Sequence, residues 1–174
     1  MKLLFCLIIL FFYQTNLFSK NIVYLDVQYI IDNSSLGKYY KNNINKIREE
    51  NIQKLKLKEN EINEKEISIK NQKNVLSEDE IQKQISELNE LLKKFQIERN
   101  KLNNNVLDQK KNYSSKILKL LNPLLTNYVE KNDIVLVVEK KNILVGIKSL
   151  DITPDILKIL NEETKKNNLI NDKK

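Results

Sequence analysis

Chemistry at a protein surface depends on which side chains are present, and this chain lacks most of the versatile ones. With no His and a single Cys, Cys6, it cannot assemble a Ser-His-Asp or Cys-His nucleophile, nor a zinc or haem site. Its two glycines, Gly37 and Gly146, stand far apart, which excludes a P-loop and a GxGxxG turn and with them a nucleotide-driven cycle. No compact grouping of Tyr, Lys and carboxylates suggests another active site. The expectation is therefore a protein without enzymatic activity, cofactor or metal. What remains is charge. Lys65, Lys70, Lys73 and Lys83 gather in one stretch, and the span from Gly37 to Ser77 carries ten basic against six acidic residues. Fixed cations of this kind attract anionic partners at long range, and these four lysines are the candidate binding residues. The plain alternative is a solvated helix face.

The elements that hold those lysines follow from composition. A chain of 174 residues suits one domain, and 30% of it is Asp, Glu, Lys or Arg. Ala is absent, Lys, Asn and Ile abound, and Arg48 and Arg99 are the only arginines, a bias typical of an AT-rich genome. Codon bias explains Lys over Arg, but not the excess of seven basic over acidic residues.

Lys2 is followed by Leu3 to Phe12 without a charge, and then by Tyr13, Gln14, Thr15 and Asn16, the layout of a secretory signal peptide cut after Ser19. That apolar run is shorter than the ~20 residues of a spanning helix. Cys6 sits inside the run and not at its polar end, which disfavours a lipoprotein. Cleavage would remove the only thiol and leave a soluble exported chain of charge about +6, Lys2 having gone with the signal.

Residues 21 to 27, NIVYLDV, read as a strand, and Asn33, Ser34 and Ser35 as helix caps. From Leu36 to Asn122 the chain has no Pro and no Gly beyond Gly37, so hydrophobic period decides between helix and disorder. Ile81, Ile85, Leu88, Leu92, Phe95, Arg99, Leu102, Val106, Gln109 and Tyr113 form a heptad seam, with Arg99 and Gln109 as polar interruptions. A thinner seam, Leu55, Ile62, Ile69 and Leu76, has charged residues between its members. Ser77 and Glu80 have capping-box spacing, so a new helix should start there. The spacing predicts an antiparallel helical hairpin, with arms over 36–75 and 78–122; a single coiled coil with a stutter is the alternative. Asn122-Pro123 predicts a new or kinked helix to Lys131. IVLVV (134–138) and ILVGI (143–147) predict a β-hairpin, and Thr153-Pro154 the N-cap and first position of a last helix.

The expected fold class is α+β, a small β-sheet body carrying a long inserted antiparallel coiled-coil hairpin. Its divisions are a signal peptide (1–19), a body (20–35 and 123–166), an arm (36–122) and a flexible tail (167–174). Three strands leave open edges, which argues for oligomerisation through Ile22, Val23, Tyr24, Leu25, Val135 and Val137.

The stretches NIVYLDVQYIIDNSSLGKYYKNNINK and DIVLVVEKKNILVGIKSLDITPDILKIL resemble the Skp/OmpH family of periplasmic chaperones, whose strand, short helix, Ser-Leu-Gly-Lys helix entry and closing segment occur in this order. The resemblance implies a periplasmic homotrimer in which strands of three subunits form a barrel-like body. Three hairpins then enclose a cavity that holds unfolded outer-membrane proteins without ATP. It further implies anionic lipid or lipopolysaccharide as a partner, since some members have a cluster of Arg, Lys and Gln for it. An export signal argues against nucleic acid. An exported or membrane-anchored coiled-coil envelope scaffold is the competing expectation.

Overall fold

The computed structural model describes residues 21–170; the expected signal peptide with Cys6 and the last four residues of the tail lie outside them. Strand β1 (Asn21–Leu25) leads through Asp26 into the short helix α1 (Val27–Asn33) and the long helix α2 (Ser35–Gln72). Helix α3 (Glu78–Lys131) returns to strand β2 (Ile134–Glu139). Two single 3-10 turns, Lys140–Asn142 and Lys148–Leu150, precede the last helix, α4 (Thr153–Lys166).

Local chemistry sets these breaks. Asp26 caps α1 by accepting from the Tyr29 amide at 2.9 Å, and the buried Ser34 hydroxyl caps α2 by accepting from the Gly37 amide at 3.0 Å. The turn between α1 and α2 is so close that a Cβ on Gly37 would stand 1.8 Å from the Ile31 carbonyl oxygen, so no larger residue fits without moving backbone. Thr153 is already the first residue of α4 and not its cap. Its hydroxyl accepts instead from the Asp26 amide at 2.8 Å, while Asp151 accepts from the Thr153 amide at 3.0 Å. The entry to α1 and the entry to α4 are thereby tied together.

The core gathers where β1, α1, the start of α2, the end of α3 and α4 meet. Leu25, Ile30, Leu36, Ile117, Leu121, Ile156 and Leu160 are essentially sealed from solvent there, with Val23 and Ile152 beside them. Helix α4 contributes through the spacing Ile156, Leu160, Thr164, one face of a helix. The Thr164 hydroxyl is satisfied by the Leu160 carbonyl at 2.7 Å. Pro123 lies inside α3, which continues to Lys131, so of the new or kinked helix expected there, no new helix begins. Proline forfeits one backbone hydrogen bond, and the adjacent core contacts of Leu121, Leu124 and Leu125 keep the segment helical.

The sheet departs from expectation. It has two strands among the described residues, β1 and β2, and they run parallel, with Val23 beside Val137 and Leu25 beside Glu139. Parallel strands need a long crossover, and the whole of α1, α2 and α3 is that crossover. Residues 143–147 are not a strand and no β-hairpin forms. The polar run before them closes a 3-10 turn, with the Ile143 amide donating to the Lys140 carbonyl, and an isolated bridge from Tyr24 to Asp151 takes part of β1's other edge. Gly146 then packs on the Tyr24 ring, at 2.9 Å from where its Cβ would be, and the Tyr24 hydroxyl donates to the Ile147 carbonyl. The β-branched composition of 143–147 is real, but in a single chain it has no strand to pair with.

Candidate functional site: the helical arm

Helices α2 and α3 meet through contacts whose numbers rise along one helix as they fall along the other. Tyr40 meets Tyr113, Lys58 meets Glu98, Lys65 meets Glu87, and Gln84 donates to Gln72 at 3.1 Å. At 1.5 Å per residue, α2 is about 57 Å long and α3 about 80 Å. Between them, the Glu80 carboxylate accepts from both the Ser77 amide (3.0 Å) and the Ser77 hydroxyl (2.6 Å), the start signal read from the sequence. Those two bonds hold the Glu80 carboxyl below its ordinary range.

The observed seam corrects the heptad reading at two places. Leu91 and Glu98 face inward, whereas Leu92 is 39% exposed and Arg99 lies in solvent. Glu98 stands opposite Lys58 and pairs with it, at the inward position where the heptad reading expected Arg99. On α2, Lys58 and Lys65 occupy half-buried positions on either side of the buried Ile62, and each meets a carboxylate of α3. Nearer the body the two helices differ: on α2 the buried Ile44 and Asn51 keep the heptad spacing of seven, while on α3 the buried Val106 and Ile117 are eleven apart. At the root, Tyr40 stacks face to face on Tyr113 at 4.1 Å, with the Lys116 ammonium 5.7 Å from the Tyr113 ring and 6.0 Å from that of Tyr40. Burial, and then the neighbouring Tyr113 and Tyr39, raise the Tyr40 phenol above its usual pKa.

The four candidate lysines do not form one cation cluster. Lys65 is bound to Glu87 at 2.6 Å, and that hydrogen bond and its charge hold the Glu87 carboxyl below its ordinary range. Lys65 and Lys83 share a groove with the carboxylates of Glu61, Glu64, Glu80 and Glu87, so anions outnumber cations there. Lys70 and Lys73 are exposed in and after the last turn of α2, outside that groove.

Charge is instead divided along the arm, a feature that a single count from Gly37 to Ser77 averages away. Residues 38–58 carry seven basic side chains against Glu49 and Glu50, and residues 99–119 carry six against Asp108. The pairing of α2 with α3 puts these two stretches side by side in the root half. The outer half, residues 59–98, carries ten acidic against six basic residues. The root half is thus strongly basic and the tip acidic.

A groove of about 380 Å³ lies in the root half between the helices, lined by Arg48, Asn51, Ile52, Leu55, Asn103, Val106 and Leu107. Ile52 and Leu107 are 60% and 62% exposed, while Asn51 is nine-tenths buried and its Nδ2 has no hydrogen-bond partner in the protein. A larger hollow, of about 700 Å³, lies on the body beside Leu157 and Ile170 and has no buried unpaired polar atom. The arm groove is the one with a polar handle.

Of the six residues expected to make subunit contacts, Val23, Tyr24 and Leu25 are buried within the chain and Val137 is half-buried, whereas Ile22 and Val135 are exposed. Leu136, Leu144, Val145 and Ile147 are exposed as well, Leu144 fully and Val145 by 93%.

No curated protein matches the chain. A solved OmpH-like protein from Caulobacter crescentus CB15, classed as a candidate outer membrane chaperone, has the same fold, with a TM-score of 0.75 at 12% identity over 82% of this chain and 85% of that one. The model of the family described as outer membrane protein (OmpH-like) matches residues 21–160, from β1 through the arm to the eighth residue of α4. With both body segments and the arm between them inside that match, the chain belongs to the OmpH-like family.

Proposed function

We infer that the chain is an ATP-independent periplasmic holdase that binds unfolded outer-membrane proteins and keeps them from aggregating. The observation that carries this reading is the distribution of apolar side chains along the arm. Ile52, Leu57, Ile67, Ile97 and Leu107 are each more than half exposed, spread over the length of α2 and α3. Single contacts of this kind bind any one segment weakly, and many engaged together retain a flexible chain without selecting a sequence. The antiparallel arrangement of the arm repeats this surface on both helices. An unfolded acidic chain is drawn in by the net charge of about +6 left after the signal is removed.

Oligomerisation completes the site. Ile22, Val135, Leu136, Leu144, Val145 and Ile147 give the body an exposed apolar surface next to a two-stranded sheet, which a soluble monomer rarely leaves bare. In a homotrimer with a barrel-like body that surface is covered and three arms enclose one space. Membership of the OmpH-like family and the Caulobacter crescentus fold support the reading. Anionic lipid or lipopolysaccharide, drawn to the basic root half of the arm, is a secondary partner.

The test is an aggregation assay in which an unfolded outer-membrane barrel is diluted into buffer with the mature chain, with and without ATP. Suppression at stoichiometric amounts, independent of ATP and weaker as salt rises, is the expected result. Aggregation that proceeds unchanged would reject the holdase and favour the envelope scaffold. Sedimentation of the same sample should give a trimer, dissociated by Leu144→Glu with Val145→Glu; a wild-type monomer would reject the assembly.

A further inference from the structure

The proposed function leaves open where on the arm a client is held, and four observations converge on one place. The groove at Arg48, Asn51, Ile52, Leu55, Asn103 and Leu107 lies in the root half, where thirteen basic side chains face three acidic ones. Its apolar members, Ile52 and Leu107, are open to solvent. Its buried Asn51 amide has Nδ2 without a partner. A buried Asn in a helical seam ordinarily sets register by bonding to a polar group opposite, yet Asn103 lines the same groove and does not bond to it. An unsatisfied buried donor is costly, so an acceptor that arrives from outside is favoured there.

Resting on the holdase reading, we propose that this groove is the primary client subsite, and that it takes an extended segment of unfolded polypeptide in which apolar and acidic side chains stand next to one another. The apolar side chain lies on Leu55 between Ile52 and Leu107. The neighbouring carboxylate meets Arg48, whose guanidinium suits a carboxylate better than an ammonium does. Asn51, after rotation of its amide, donates to a carbonyl of the segment. The acidic outer half repels such a segment, so capture at the tip is disfavoured and the segment moves toward the root.

Two variants of equal charge change separate position from net charge. Arg48→Gln with Lys54→Gln removes two cations from the root half, and Lys70→Gln with Lys73→Gln removes two from the tip. Binding of a short labelled peptide of alternating Leu and Glu to the mature chain is followed by fluorescence anisotropy, with circular dichroism as a check on helicity. The root variant should lose about tenfold in affinity, the order of one charge-assisted hydrogen bond, and the tip variant should change by less than about twofold. Asn51→Leu should weaken the peptide while raising the melting temperature, since it fills the seam and removes the unpaired donor. A peptide with Gln for Glu should bind the wild type, the root variant and the tip variant alike. Equal losses for root and tip variants, or an Asn51→Leu protein that binds as well as the wild type, would overturn the subsite. Root-dependent flotation with phosphatidylglycerol vesicles, without root-dependent peptide binding, would overturn it in favour of a membrane. Each result can be read apart from the aggregation assay: suppression that survives loss of root dependence sinks the subsite and leaves the holdase standing.

Discussion

The body and the arm of this protein are stabilised by different means, and the difference bears on what each is for. In the body, side chains from five elements are sealed around Ile30, Leu121, Ile156 and Leu160, and the polar groups at the helix entries find partners within the chain. In the arm, Ile62 and Val106 are the buried apolar side chains beyond Ile44, and the rest of the seam is half-buried, with Leu55, Leu88, Leu91, Phe95 and Leu102 beside the pairs Lys58–Glu98 and Lys65–Glu87. Burial gives a cooperative unit, whereas exposed ion pairs contribute little and are screened by salt. An arm stabilised in this way keeps its apolar side chains available to another chain. The same economy makes it the softer part.

The contrast can be broken most severely in the body. Ile156→Ala removes a fully buried side chain and should cost about 2 to 5 kcal/mol, read as a lower midpoint in urea unfolding of the whole protein. Ile62→Ala, in the thinner seam, should cost less and appear chiefly as faster hydrogen exchange in α2 and α3. A similar global loss from both would mean that body and arm unfold as one unit. Gly37→Ala should also destabilise the whole molecule, because its Cβ collides with the Ile31 carbonyl oxygen between α1 and α2. A melting temperature equal to wild type would show that the close approach relaxes freely.

Acid should act on the body through Asp151. Burial alone would raise its pKa, but hydrogen bonds from Thr153 and the hydrogen bond and charge of Lys140 outweigh burial and lower it. A depressed carboxylate contributes stability that is fully present above its unfolded pKa, about 4, and lost as pH falls through the lower folded value. Asp151→Asn should therefore flatten the pH dependence of stability in that acid range while leaving the arm's hydrogen exchange unchanged. An unaltered acid profile would remove Asp151 from the account.

Smaller effects are expected at the tip. Ser77→Ala removes the cap that begins α3 and should cost about 1 kcal/mol locally, seen as faster exchange over the first turns of α3 with no change in the body. Lys65→Gln should loosen the same region in low salt and do almost nothing in high salt, since its partner Glu87 is exposed. A loss that is independent of salt would assign Lys65 a packing role.

The sequence announces the features that depend on neighbouring residues. The capping pair Ser77 and Glu80, the Ser34 cap and the helical span from Leu36 onward were all readable, because caps and hydrophobic period act within a few residues. Pairings across the molecule were not. Leu91 and Leu92 are chemically equivalent, so which of them faces α2 depends on what stands opposite, and the structure puts Leu91 and Glu98 inward, with Lys58 across from Glu98. Residues 143–147 have strand composition without a strand, since pairing is decided by what lies alongside. Pro123 signals a start or a kink locally, and the core contacts around it carry one helix through. In the candidate site, the tip lysines drew attention by their spacing along the chain. The basic root half emerges only when 38–58 and 99–119 lie together, and the unpaired Asn51 only from the packing.

Where an unfolded client touches the arm is the most direct measure of whether the root half does the holding. The chain expected after signal cleavage has no Cys, so single cysteines at Ile52, Leu107 and Val75 can each carry a photo-crosslinker, the first two beside the root groove and the last 83% exposed at the tip. With an unfolded outer-membrane barrel as client, crosslinking at Ile52 and Leu107 should exceed that at Val75, and the excess should shrink as salt is raised. Equal or stronger crosslinking at Val75 would contradict the account.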